Sequence, residues 1–524
     1  MALGIISRLG FGDKARKAVE DNALSAIANR RKVDKKTLAF DLFTHISYMA
    51  SMATAKASRD VMFSYAARLN LSTTPYFVDI NTLVNRLKYD YSEACRAVAD
   101  RTKEHEVSTL LLRMSGSLSS GEDEEEFLTR EAAVMAELYR ATYETNIESL
   151  RKWTDAYSAM IVSAGLIVVV SIISMMIYSL GPGMILMTGM VTMMIAIIGS
   201  WTIYLAAPKE SYTRTAGLSA PNQMVAIKLF KYLVPAGFVL GLAAIAITQG
   251  QLGTGFIVLG LSLLPSGFLM NRDSKRLLRI DADIATATRM LGGVTDAIGT
   301  TVSDALSKID RRSLGSLEPY FRRLEVRIRS GITPNRCWDH LIYETGSEMI
   351  ERTINIFWDA LTIGGNPLVT GKTAAFFAAE ISVLREKRAL VAQTFGYLTI
   401  PLHAAMVGLL VFIVTVMQLF ASSMLLDTDT VDPSASGANI PDIANSSGFN
   451  TFANVNFEFL NLIIITVVVV FTIANAVAPW AASGGHRMRA GYQLGVMMIV
   501  SGLMLTLIPP ASRMVFATIS APAT

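Results

Sequence analysis

Charge is scarce in this chain, and long stretches have none. Asp, Glu, Lys and Arg make up 17% of the 524 residues, against 52% hydrophobic residues. A soluble chain of this length carries more charge than that. Cysteine is nearly absent as well. Cys95 and Cys337 stand far apart, in segments read below as cytoplasmic, where thiols stay reduced and two such residues make a poor zinc site. The five histidines, His45, His105, His340, His403 and His486, are scattered without a ligand spacing. No pair of carboxylates stands out as an acid and a base. GGNPLVTGKT at 364–373 looks like a phosphate loop, but Asn366 occupies the position where GxxxxGK[ST] requires glycine, and a strand should precede such a loop. No catalytic residue, metal or cofactor is assigned, and no enzyme activity is expected.

What the chain has instead is apolar length. Seven nearly charge-free runs fall at 160–180, 184–206, 232–248, 253–270, 397–420, 459–479 and 493–512. Each is long enough to cross a hydrocarbon core of ~30 Å as a helix, the third and fourth being short. The loops alternate in charge. Lys209, Arg214, Lys228 and Lys231, then Arg272, Lys275, Arg276 and Arg279, then Arg385, Lys387 and Arg388, and last His486, Arg487 and Arg489 flank one side, while 181–183, 249–253 and 421–457 contain no Lys or Arg. Basic loops stay in the cytoplasm during insertion. The expectation is a multi-pass protein of the cytoplasmic membrane, N-terminus inside and C-terminus outside. The basic balance then reflects topology and gives no case for nucleic acid.

Residues 1–34 carry charge throughout, unlike a signal peptide, and read as an amphipathic helix on the inner membrane surface or a mobile segment. Residues 421–457, rich in Asp, Ser, Asn and Gly, read as an exposed external loop, with an NSS sequon at Asn445. The spans hold no Asp, Glu, Lys or Arg; their polar candidates are His403, Asn461 and Asn475. A proton-coupled carrier needs ionisable groups in the membrane, so a transporter or channel is the lesser alternative. His403, two residues after Pro401, is read as pairing with a backbone carbonyl at the proline kink.

Two charge-bearing blocks complete the chain, 35–155 before spans one to four (156–271) and 272–393 before spans five to seven (394–524). Both read as helical, and they resemble each other. PYF occurs at 75–77 and 319–321, Cys95 and Cys337 follow at similar distances, and glycine-containing breaks come next, SGSLSSG at 115–121 and TIGGNPLVTG at 362–371. After each break a long helix runs into a membrane span, and these four features in one order point to an internal duplication. The fold class is therefore an all-α polytopic membrane protein with two repeated cytoplasmic helical bundles, each followed by transmembrane helices. The acidic run Glu122, Asp123, Glu124, Glu125 and Glu126 follows the first break. Ser119 and Glu122 have capping-box spacing, so the run either starts a helix or docks a basic partner. From 122 to 179 there is one glycine and no proline, which allows a single helical rod of about 80 Å.

The stretch LRMSGSLSSGEDEEEFLTREA resembles the FlaJ/TadC branch of the type II secretion F-domain family, the platform proteins of archaellum and archaeal type IV pilus assembly. The resemblance covers both blocks and their following spans. It implies a non-enzymatic membrane platform that docks a hexameric secretion or assembly ATPase and couples its motion to extraction of pilin or archaellin subunits, for filament assembly or rotation. A homodimer would match the symmetry of a six-fold motor. Within that picture two charged docking surfaces are expected. One is acidic, Glu122–Glu126 with Glu131; the other is basic, Arg322, Arg323, Arg327 and Arg329, with His486, Arg487 and Arg489. Gly165, Gly189, Gly241 and Gly260 are candidate points of close approach to a pilin helix.

Overall fold

A computed structural model describes residues 35–177, 182–214, 220–429 and 457–520. The readings for 1–34 and for Asn445 lie outside the described residues. Within them the chain is helical and has no strand. The helices are α1 (Lys35–Ala53), α2 (Arg59–Ala66), α3 (Thr74–Leu87), α4 (Tyr91–Ala99), α5 (His105–Ser120), α6 (Glu124–Ile177), α7 (Pro182–Ala206) and α8 (Pro221–Ile247). They continue as α9 (Leu252–Ile298), α10 (Val302–Lys308), α11 (Glu318–Arg329), α12 (Pro334–Thr345), α13 (Glu348–Thr362), α14 (Pro367–Asp429), α15 (Phe457–Ser483) and α16 (Ala490–Ser520), with short 3₁₀ turns before α11 and α16.

Seven of these helices are long and apolar enough to cross a membrane, α6, α7, α8, α9, α14, α15 and α16. The third and fourth apolar runs, short in sequence, belong to full helices of 27 and 47 residues, each with an internal proline, Pro235 and Pro265. Residues 421–429, expected in a loop, prolong α14. The rod expected over 122–179 is the single helix α6 of 54 residues.

By contacts the chain divides into two compact units; most of both charge-bearing blocks falls in the first, while their ends at 146–155, 272–275 and 386–393 fall in the second. The described residues of the first are 35–145, 212–214 and 276–385; the second comprises 146–177, 182–211, 220–275, 386–429 and 457–520. Three helices, α6, α9 and α14, start in one unit and end in the other.

Unit 1 is built on α1, whose buried Leu42, Phe43, Ile46 and Met49 pack on α13. Phe40 and Phe43 join Tyr139 and Phe377 in an aromatic cluster with centroids 5.0–6.4 Å apart. The break expected over 115–121 is helical to Ser120, and the interruption is confined to Gly121, at φ +73°, and the two residues before α6. The small residues serve an approach between helices. Ser92 of α4 and Ser115 of α5 each donate a hydroxyl to the other's carbonyl, at 3.0 and 2.8 Å. The second break is also shorter than expected: α13 ends at Thr362 and α14 begins at Pro367.

Unit 2 is organised around α15, the most enclosed of the seven long helices, which packs on α7 and α16. Its valine- and isoleucine-rich faces join residues of α6 and α14 in one apolar core. Glycine sets the closest approaches. A Cβ added to Gly253, Gly260 or Gly267 of α9 would lie 2.8, 2.7 and 2.8 Å from backbone atoms of Gly502, Gly495 and Gly491. The four glycines read as points of pilin approach are occupied from within: Gly165 by Met406, Gly189 by Ile463, Gly241 by Leu259 and Gly260 by Gly495.

Candidate functional site

The acidic run starts α6, though by another cap than the expected Ser119–Glu122 box. Asp123 Oδ1 accepts the amide of Glu126 at 3.0 Å, whereas the Ser119 hydroxyl turns back to the Gly116 carbonyl. The remaining carboxylates divide. Glu122 pairs with Arg130 at 2.6 Å, and that hydrogen bond holds its carboxyl below the ordinary value. Glu124 pairs with Arg59 at 2.5 Å. Among the described residues Glu125 and Glu126 have no ion pair, and Glu126 is exposed. Glu131 does not belong to this surface. It is 4% exposed and takes two hydrogen bonds from Arg113, at 2.8 and 2.7 Å, so burial and pairing withdraw it from any partner.

The basic residues of α11 form a more linked patch. Glu344 of α12 accepts from Arg323 at 2.8 Å and from Arg327. Burial would raise its carboxyl, but the two arginines outweigh this and hold it below the ordinary value. Buried Glu325 binds Arg311 and Arg329, each at 2.9 Å. Arg322 is exposed with no ion pair. His486, Arg487 and Arg489 belong to unit 2. His486 Nδ1 caps the 3₁₀ turn at Met488, and burial followed by Arg487 lowers its pKa. Arg489 donates to Asn271 at 3.1 Å, which leaves Arg487 exposed.

Inside the span region, His403 meets a backbone carbonyl, as expected, but that of Met497 on α16 and not one beside Pro401 in the chain. Both ring nitrogens meet side chains: Nδ1 faces the Asn475 amide nitrogen at 3.0 Å, and Nε2 faces Ser501 Oγ at 2.8 Å. Asn475 Oδ1 accepts from the Tyr157 hydroxyl at 2.7 Å, and Ser501 lies 2.7 Å from Thr472 Oγ1, which donates to the Val468 carbonyl. An amide donor on Nδ1 fixes the neutral Nε2–H tautomer. Every donor then points one way, from Tyr157 through Asn475, His403, Ser501 and Thr472 to Val468. This satisfied chain joins α6, α14, α15 and α16 where no water is at hand. Asn461 is not part of it and accepts from Gln418 at 3.3 Å.

Sequence reasoning missed Tyr157, Thr472 and Ser501, whose only signal is a hydroxyl within or beside an apolar run. It also missed two buried arginines. Arg388 Nε donates to the Ala482 carbonyl at 3.0 Å, placing a cation at the C-terminus of α15, where the helix dipole favours one. Gly484, at φ +66°, leaves room for it, since a Cβ there would lie 2.6 Å from the guanidinium. Arg385 pairs with Asp281 at 2.5 Å, both 1% exposed. Basic residues flanking a span had been read only as signals of orientation.

Seven helices of 25 to 63 residues, each long and apolar enough to cross a membrane, define an all-α polytopic membrane protein. No protein-family model matches the chain, and no solved structure does. Two curated relatives are similar over most of its length. Flagella accessory protein J of Methanocaldococcus jannaschii is 22% identical over 416 residues, 76% of this chain and 70% of the relative. Flagella accessory protein J of Methanococcus voltae is 22% identical over 436 residues, 81% of this chain and 76% of the relative. The resemblance to the FlaJ branch seen in the residues around Gly121 thus extends to curated homologues.

Proposed function

We propose that this chain is the integral-membrane platform of an archaellum or type IV pilus-like assembly machine. The observation that carries this reading is its similarity, across three quarters of its length, to two proteins named Flagella accessory protein J. The architecture is compatible with it. A charge-bearing helical unit faces the cytoplasm, with the N-terminus inside and the C-terminus outside. Helices α6, α9 and α14 run from that unit into the apolar one. A cytoplasmic hexameric ATPase docks on the first unit, and its motion reaches pilin or archaellin subunits through the second. The platform acts as a homodimer and performs no chemistry itself.

The docking surfaces are narrower than the charged segments. Among the described residues, Glu125 and Glu126 on the acidic side, and Arg322 and Arg487 on the basic side, have no ion pair to break before a partner binds. The full-length protein in detergent or nanodiscs, mixed with the assembly ATPase of the same genome, tests this. Binding is expected to weaken with salt. Glu125→Lys with Glu126→Lys is expected to reduce it on the order of tenfold without loss of protein from the membrane. Unchanged binding removes the acidic surface, and filaments persisting after gene deletion remove the platform reading altogether.

A further inference from the structure

Residues 212–214 lie between α7 and α8, two helices of unit 2, yet belong to unit 1. They are held there by the backbone and by side chains. Glu348 N donates to the Tyr212 carbonyl at 3.3 Å and Arg214 N to the Gly346 carbonyl at 3.4 Å, so Thr213 and Ser347 face each other in an antiparallel bridge. Arg214 Nε and Nη2 each donate to a Glu351 oxygen at 2.9 Å, a two-pronged geometry that fixes direction as well as position. Tyr212 is buried, with the Arg385 guanidinium 4.8 Å from its ring centroid. Arg385 is itself anchored on Asp281, whose other oxygen accepts from Ser347.

The segment therefore sits on a buried ion pair supplied by α9 and α14. Those two helices continue from unit 1 into unit 2, as α6 does. Among the described residues, α7 has no such extension. The chain passes from its end into unit 1 at this segment, and Tyr212 lies so few residues beyond Ala206 that the extended chain spans only about 20 Å. A slack loop would absorb a displacement of its ends. A short one, seated by a bridge, an ion pair and a cation–π contact, passes it on.

We propose that residues 212–214 form a fixed strap that delivers displacement of unit 1 to α7, with Tyr212, Thr213 and Arg214 as its positioning residues. This rests on the platform reading above. It gives the machine a route separate from the continuous helices, reaching a span helix that would otherwise be carried passively.

The test uses full-length variants in the protein's own host, with filament number, protein amount in the membrane and binding of the assembly ATPase all recorded. Arg214→Glu sets a like charge against Glu351, and Tyr212→Ala empties the seat while leaving the ion pair alone. Each is expected to lower filament number on the order of tenfold, with membrane amount and ATPase binding unchanged. Adding Glu351→Arg to Arg214→Glu is expected to restore filaments to within about twofold, since an exchanged pair re-forms the contact. Normal filaments in both single variants would overturn the strap, as would failure of the exchanged pair to recover. Loss of ATPase binding in parallel with filaments would overturn it too, by making Arg214 a docking residue. Normal filaments after clean deletion of the gene identify the other failure, that of the platform reading.

Discussion

Residues 35–120 form α1 to α5, and residues 276–362 form the end of α9 followed by α10 to α13, in matching order. In each series Pro–Tyr–Phe opens the third α-helix, a buried cysteine lies in the fourth, and a glycine of positive φ, Gly121 or Gly364, precedes a long helix. One contact is common to both. Asp41 of the first helix accepts the amide and hydroxyl of Ser72, at 2.9 and 2.5 Å, just before α3. Asp283 accepts the same two groups of Ser316, at 2.7 and 2.5 Å, just before α11. We propose that the two series are copies of one unit.

Charge is what separates them. The first series ends in the run Glu122–Glu126, whereas the corresponding turn of the second is Gly364, Gly365 and Asn366. Conversely, α11 carries Arg322, Arg323, Arg327 and Arg329 where α3 has Arg86 alone. Each series builds its turn and its third helix without the charges of the other. One cap is enough to start the long helix: Asn366 Oδ1 accepts from Val369 at 3.0 Å, as Asp123 does from Glu126. What the fold needs is shared; most of the excess charge of each series is paired within the chain, and among the described residues Glu125, Glu126 and Arg322 have no ion pair.

The largest effect tests a contact that belongs to the second series. Asp281→Ala should cost about 3–5 kcal/mol, because it leaves Arg385 charged and buried, and adding Arg385→Met should recover much of the loss. Thermal unfolding in detergent measures both. A smaller effect belongs to the first series, where His45 lies 2.9 Å from Thr73 and stacks on Phe77. Burial lowers its pKa from 6.5 to about 3. Above pH 6.5 it is neutral whether folded or unfolded; below that only the unfolded chain takes up the proton. Stability should therefore fall by about 1.4 kcal/mol per pH unit from 6.5 down towards 3, on top of the carboxylate terms. His45→Gln should flatten that slope, and the difference between the two profiles is the measurement.

The shared latch predicts equal losses. Ser72→Ala and Ser316→Ala should each cost about 1.5 kcal/mol, and a clear inequality in denaturant midpoints would break the equivalence of the series. The smallest pair is the caps, Asp123→Ala and Asn366→Ala, at about 1 kcal/mol each by the same measurement.

Much of this was legible because a bilayer permits so few solutions. Charge-free length marks a spanning helix whatever surrounds it, so all seven appeared in the sequence. Local composition misled where tertiary approach decides. Serine and glycine at 115–120 favour turns when read alone, but Ser92 needs a small neighbour, and the helix persists. Partners far along the chain left no signal. Nothing near His403 announces Asn475 or Ser501, and Glu131 looks like a sixth surface acid until Arg113 is placed beside it. The charged candidates were found, but which of them are already paired is a property of the folded chain.

The glycines of α9 recur every seven residues, at 253, 260 and 267, against 502, 495 and 491 of α16. Main chain meets main chain there, and the side chains that reach into the seam, Thr506 and Ile499 from α16 and Ile257 from α9, are β-branched and stiff at χ1. Side chains act as soft bushings between most helices, and here the bushing is thin. A push along α9 is passed to α16 with little lag, so the two helices behave as one stiff beam. Any bending within the membrane unit is then taken up outside this seam.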